Sequence, residues 1–377
     1  MPMWSPTGIK RWRQITLSGR LGPPDSWNIL AATGVAVSDA LAAISGQPPI
    51  LAKLDRVPDA APEAAVAAAS HTVLLTMVPD QKAAIEDAYK AAFASLPDAG
   101  KEKGVRLGLA AAQAVIAARK VDQEPVESYR PLTTAGKYVP TLLPIALTTD
   151  LRKPWLLDFC EQFRPGPPPE LTSDAWARDY NEIKALGAKN KSKRTPEQTE
   201  IAQFWAAIHP IIYLPVAYSM APRDIAYNAR YLAVVAMAVD DALGAIFDAK
   251  YTYTFWRPVT AIRNGDIDGN DATERDASWL PLIDTPMHPE YPCAHCVISG
   301  TIGTFSKAVS AGKETPKLTT ISPTAPGKTR SWSNADEFMQ EVALARILDG
   351  VHYRISTEVG TDMGKKIGEF AAVKYLK

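Results

Sequence analysis

Apolar residues recur at helical spacing along most of the chain, and alternation of the strand kind is scarce. Residues 28–45 and 61–78 are rich in alanine and aliphatics. Residues 81–96 and 102–120 set Lys and Glu between apolar positions, as amphipathic helices do. Prolines punctuate the next stretch of chain: Pro140, Pro144, Pro154 and the run Pro165-Gly166-Pro167-Pro168-Pro169. They predict an ordered, irregular crossing between two helical halves. Thr195-Pro196-Glu197-Gln198 reads as a capping box that opens a helix running to Ile208, where Pro210 stops it. A helix over 223–248 is expected to be buried nearly all round. Another over 294–310 carries small residues that allow close approach. Between 311 and 333 the reading is loop, with β-branched residues suited to a short hairpin. Ser333 is placed to cap a helix over 335–348, and a last helix spans 356–375. No internal repeat is evident. The fold expected is all-α, a multi-helix bundle, with an N-terminal half over 1–150 and a C-terminal half over 151–377.

Charge narrows the partners. The chain holds 41 basic and 41 acidic residues, so no global field recruits nucleic acid or an anionic membrane. Any anion recognition must be local. Apolar residues make up 46% of the chain, enough for a sizeable core. No run of about 18 uncharged apolar residues predicts a membrane span. Lys10, Arg11, Arg13 and Arg20 precede an apolar run that starts only near Ile29 and is broken by Asp39, which is a poor secretory signal. A cytoplasmic address is favoured for the chain as given, with export through a removed leader and homo-oligomerisation both left open. Cys160, Cys293 and Cys296 make no disulfide framework, and the single CxxC lacks the second pair a zinc site needs. Asp266-x-Asp268-x-Asn270 mimics the start of a calcium loop, but Asp271 replaces the required glycine and Ala277 the closing Glu. A solvated acidic turn is expected there.

Three separated segments carry the candidate chemistry: Lys250–Pro258 (KYTYTFWRP), Pro292–His295 (PCAH) and Arg346–His352 (RILDGVH). Together they offer one lysine, two arginines and two histidines. Arginine's planar fork suits a tetrahedral oxyanion, and histidine can attack its centre or carry a proton near neutral pH. Lys250 and Arg257 share a face if the helix continues, whereas Pro258 favours a bend at Arg257. Prolines at 281, 286, 289 and 292 forbid helix before residue 294, so Cys293 to His295 fall at a helix N-terminus, where free N–H groups favour anions. Gly350 permits a sharp turn that brings Arg346 and His352 toward one ligand.

The order Lys250-x6-Arg257-Pro258, Pro292-Cys293-Ala294-His295 and Arg346-x5-His352 resembles the signature of the vanadium-dependent haloperoxidase and type 2 phosphatidic acid phosphatase superfamily. The strings FWRPVTAIR and HPEYP are similar to its soluble bacterial haloperoxidase branch. The resemblance implies two packed helical bundles. It implies that Lys250, Arg257 and Arg346 hold the oxygens of vanadate, or of phosphate in the same site. His352 would be the axial vanadium ligand or a phosphoryl-accepting nucleophile, His295 the acid–base group, and the Ala294 N–H a further donor. His288 resembles a histidine of algal bromoperoxidases and would tune halide or peroxide handling, favouring bromide or iodide. The implied partners are hydrogen peroxide, a halide and a small organic acceptor. A metal-free acid phosphatase working through a phosphohistidine is the alternative, and a non-catalytic oxyanion binder the third. Two residues depart from the pattern, Cys293 for the family's serine and Ala294 for its glycine. Some relatives carry Asp four residues after the axial histidine; Ser356 stands here, with Glu358 nearby, so the partner that orients His352 is open. Phe247 and Trp256 flank the first segment and are expected mainly to pack the core.

Overall fold

The computed structural model describes residues 21–96, 98–120, 129–220, 224–310 and 317–376. Twelve α-helices and one two-stranded sheet account for its regular structure among these residues. The helices are α1 (Pro23–Ser45), α2 (Pro62–Met77), α3 (Lys82–Phe93), α4 (Lys101–Ala118), α5 (Asp174–Leu186), α6 (Pro196–Phe204), α7 (Pro210–Ser219), α8 (Ile225–Tyr253), α9 (Pro258–Arg263), α10 (Ala294–Val309), α11 (Ala335–Leu348) and α12 (Arg354–Leu376). The fold is all-α, as the periodicity predicts. Two compact units form, and neither is one continuous stretch: the first takes the described residues up to 120 plus His209–Asp240, the second those from 129 to 208 plus 241 to 376.

Several boundaries move for identifiable reasons. α1 begins at Pro23 because Pro23 and Pro24 occupy its first turn, where a missing N–H costs nothing. Its length and apolarity would allow it to cross a membrane, yet 83% of its most apolar window is buried inside the protein. α6 ends at Phe204, and Pro210 opens α7 instead of merely stopping the helix before it. α7 also tolerates Pro215. α5 goes unforeseen, although Ser173 caps it, with its hydroxyl accepting from the Trp176 N–H, and Trp176, Ala177, Tyr180 and Ile183 form a buried stripe. Ser333 is not the cap of α11; the Asn334 side-chain oxygen accepts from the Glu337 N–H at 2.9 Å. The short hairpin forms as β1 (Leu318–Ser322) and β2 (Ala325–Trp332), antiparallel, with Leu318 opposite Trp332. The 311–316 part of the expected loop lies outside the described residues.

In the first unit α1, α2 and α4 pack against one another, and the alanines and valines of α2 are mostly buried. A short repeat emerges once the contacts are known. Ala36–Ile44 (AVSDALAAI) on α1 and Ala238–Ile246 (AVDDALGAI) on α8 differ at two of nine positions. Each carries an aspartate that gathers three consecutive backbone N–H groups. Asp39 accepts from Ile50, Leu51 and Ala52 at 2.6–3.0 Å. Asp241, in the second unit, accepts from Trp155, Leu156 and Leu157 at 2.6–3.0 Å. The proline-rich crossing is pinned there, and it is irregular apart from two short 3₁₀ turns.

In the second unit α10 lies against α12 at glycine distance. A Cβ at Gly364 would overlap the Val297 carbonyl oxygen, and one at Gly360 would stand 2.7 Å from that of Cys293. The Cys293 N–H donates to Ser356 O at 3.1 Å. These contacts fix where α10 begins. Gly364→Ala should therefore lower unfolding stability by about 1–3 kcal/mol through overpacking. The control Gly166→Ala, whose Cβ would meet nothing within 4 Å, should change it by less than about 0.5 kcal/mol. Urea midpoints measured side by side check both.

Candidate oxyanion site

The three predicted segments meet in the second unit. Lys250 sits in the last turn of α8, which runs to Tyr253, beyond the predicted end. The chain then turns at Thr254 (φ 49°) and is extended at Arg257 before Pro258 opens α9, so it bends as the proline requires. Lys250, Arg257, Arg346 and His352 are each at most 1% exposed, and His295 is 4% exposed. Such burial of cations is costly unless they are paired or hydrogen-bonded.

Glu290 supplies much of that compensation. The Lys250 ammonium donates to its carbonyl oxygen at 2.7 Å and to that of Pro289 at 2.9 Å. The Glu290 N–H donates to Phe255 O at 2.9 Å. Its side-chain Oε1 accepts from His352 Nδ1 at 2.8 Å and from the Tyr353 N–H at 3.1 Å. Glu290 thus answers the open question of what orients His352: the carboxylate comes from the HPEYP segment, not from the position of Ser356. Its role was not foreseen, although it lies between His288 and the second motif.

The network sets the histidine tautomers. Arg257 Nη1 lies 3.3 Å from His352 Nε2, and a guanidinium can only donate. His352 therefore carries its proton on Nδ1, toward Glu290, and keeps a lone pair on Nε2. Burial first, then the charges of Arg257, Lys250 and Arg346, push its pKa well down, so the ring is neutral. Burial pushes the Glu290 carboxyl up to about 7. His295 points Nε2 at Ala207 O, 3.2 Å away, and burial followed by the Arg346 charge holds it neutral as well. His288 Nδ1 lies 3.0 Å from Arg257 Nη2, and its ring meets Phe247 edge-on at 5.2 Å. Phe247 thereby touches a candidate site residue in addition to packing the core. Trp256, almost fully buried, stacks on Trp176 at 5.8 Å.

Arg346 closes the other side. Its Nη1 donates to Trp205 O at 2.8 Å and pairs with Asp349 at 2.5 Å. Its Nε is buried with no hydrogen-bond partner among the described residues. Gly350 (φ 86°) makes the expected turn, and the His352 N–H returns to Arg346 O at 3.1 Å. Cys293 caps α10, its sulfur accepting from the Cys296 N–H at 3.4 Å, and Ala294 is the first helical residue. The Asp266–Asn270 turn proves different from the solvated one expected: Asp268 is buried and accepts from Trp176 Nε1 at 2.8 Å and from Thr273.

The donor set fits a tetrahedral oxyanion. Three buried cations face two buried carboxylates, and burial raises the pKa of Asp349 to about 7 as it does for Glu290. Burial above all lowers the pKa of Lys250 and of Arg257, and repulsion adds to it, from Arg257 on Lys250 and from Arg346 on Arg257. An anion would relieve that repulsion and give the Arg346 Nε an acceptor.

Comparison with known proteins agrees with this site. Residues 230–377, which contain all three segments, match the family described as VCPO second helical-bundle domain. The vanadium chloroperoxidase of Curvularia inaequalis is 25% identical over 240 residues, 47% of this chain and 39% of that protein. The chain is thus similar to the vanadium haloperoxidases, and residues 230–377 carry the family match. This chain spans well under two thirds of the length of its Curvularia relative. Two solved structures share the haloperoxidase fold. A bacterial vanadium-dependent iodoperoxidase superposes with a TM-score of 0.80 at 23% identity, covering 100% of this chain and 96% of its own. A holo-type bacterial vanadium-dependent chloroperoxidase gives 0.74 at 18% identity, covering 94% and 93%.

Two measurements test the electrostatics. Arg346→Ala should weaken orthovanadate binding by about tenfold or more, since a charged multidentate donor is lost; calorimetric titration reads it. Glu290→Ala should cost about 10–100-fold in vanadate affinity by freeing the His352 ring, and Glu290→Gln, which keeps an acceptor toward Nδ1, should lose less.

Proposed function

We propose that the protein is a vanadate-dependent haloperoxidase, oxidising halide with hydrogen peroxide and delivering it to a small organic acceptor. The observation that carries this reading is the buried cation cluster around a neutral His352 whose unprotonated Nε2 faces Arg257. In this reading Lys250, Arg257 and Arg346 hold the oxygens of vanadate, with the N–H of Ala294 at the α10 N-terminus as an added donor. His352 holds the metal through Nε2, with Glu290 keeping the proton on Nδ1. The chemistry expected of bound vanadate is Lewis-acid activation of peroxide toward halide, with no change in metal oxidation state.

His295 is the proton carrier. Its ring is neutral, buried and within the field of Arg346, so it can take a proton from entering peroxide and return it to the leaving oxygen. His288 and Phe247 wall the approach beside Arg257. A buried wall of this kind favours the more easily desolvated bromide or iodide over chloride. The iodoperoxidase among the structural neighbours is in keeping with that preference.

The phosphatase reading uses the same cage, with His352 Nε2 accepting the phosphoryl group, and the same lone pair supports it. Reconstitution decides between them. Orthovanadate with peroxide and bromide should brominate a phenol dye well above the vanadate-free protein. Hydrolysis of p-nitrophenyl phosphate, blocked by vanadate and lost in His352→Ala, with no bromination, would select the phosphatase. His295→Ala should lower the bromination rate by about 10²–10⁴-fold while changing vanadate affinity far less; equal losses in rate and binding would rule out a proton-transfer role.

A further inference from the structure

We infer that Cys293 and Cys296 are a peroxide-oxidisable dithiol pair, closing reversibly to a disulfide across the first turn of α10. The inference names its own oxidant, hydrogen peroxide, and holds whether or not the chain oxidises halide.

The geometry is that of a CxxC at a helix N-terminus. Cys293 is the N-cap and Cys296 the third helical residue, and the Cys293 sulfur lies 3.4 Å from the Cys296 amide nitrogen. After burial, Cys293 is the next group that raises the Cys296 thiol pKa, so the two side chains are neighbours. Both side chains are fully buried and neither is bonded to another cysteine. Gly360 lets α12 approach this turn closely: a Cβ there would stand 3.2 Å from both the Cys293 nitrogen and the Cys296 Cβ. His295, the residue proposed to handle peroxide protons, lies between them in sequence. A cysteine alone there would climb to sulfinic and sulfonic acid, which do not return. A second thiol in contact stops the climb.

The chemistry balances. The Cys293 sulfur attacks one peroxide oxygen, the O–O bond breaks, and a sulfenic acid and one water form. The Cys296 sulfur then attacks that of Cys293, the S–S bond forms and the S–O bond breaks. Hydroxide leaves and takes the Cys296 proton as a second water. Two thiols are oxidised, and one peroxide is reduced to two waters. Burial first, then Cys293, raises the Cys296 thiol pKa well above its ordinary value. Cys160, the third cysteine, lies apart on the irregular crossing, against Gly244, and its pKa is pushed up to about 12 by burial.

The test uses the full reduced chain, without vanadate or halide, treated with equimolar hydrogen peroxide. The mass should fall by about 2 Da, with two of the three thiols lost to alkylation, and dithiothreitol should restore both. Peptide mapping should place the bond between Cys293 and Cys296, with Cys160 still alkylated. Given about two or more equivalents of peroxide, Cys296→Ala should instead gain about 32 Da at Cys293, unrecovered by dithiothreitol. Retention of all three thiols in the wild-type chain, or a bond to Cys160 or between two chains, would overturn the inference. The wild-type measurement stands without the variant.

Discussion

Three cations without water around them are the condition that the second unit must satisfy. Lys250, Arg257 and Arg346 are essentially unexposed, and isolated buried charges cost several kcal/mol each even after relaxation. The fold meets that cost in part with backbone carbonyls: Pro289 and Glu290 for Lys250, His288 and Val351 for Arg257, Trp205 for Arg346. Two carboxylates add partial neutralisation. What is left over is positive potential at one place, and that residue of uncompensated charge is the property a binding site for an oxyanion needs.

Glu290 ties the arrangement together because its amide, its carbonyl and its carboxylate Oε1 are each used differently. Its amide reaches the first segment through Phe255, its carbonyl holds Lys250, and its carboxylate holds the ring of His352 and the amide of Tyr353. Charge placement, ring orientation and loop conformation therefore depend on one residue. The aromatic layer of Trp176, Phe255, Trp256 and Tyr353 lies alongside these segments and restricts their movement.

Much of this was legible along the chain. The all-α character, the span of α11 from 335 to 348, the bend before Pro258 and the turn at Gly350 follow from local rules of propensity and punctuation. The identities of the charged side chains were visible because the oxyanion motifs keep fixed short spacings. What escaped was tertiary. The pairing of Glu290 with His352 joins residues 62 apart, and no spacing rule reports it. α5 escaped because a proline-rich run precedes it and its polar face is long. Asp268 looked solvated because nothing in its neighbourhood announces Trp176 arriving from 92 residues away. Helix caps shifted by single positions, as at Asn334, where two adjacent polar residues compete for one role.

The repeated aspartate allows the anchoring of a loop to be told apart from chemistry. Asp241 lies on the same helix as Lys250 and is buried, so the second unit alone would place it under suspicion of taking part in the reaction. Asp39 does the same work of gathering three amides, on a helix that ends at Ser45, and the position corresponding to Lys250, 202 residues before it, is Pro48, beyond that helix. The chain thus contains its own experimental control. What the aspartate does in the absence of the lysine is scaffolding, and by parity that accounts for its presence beside it.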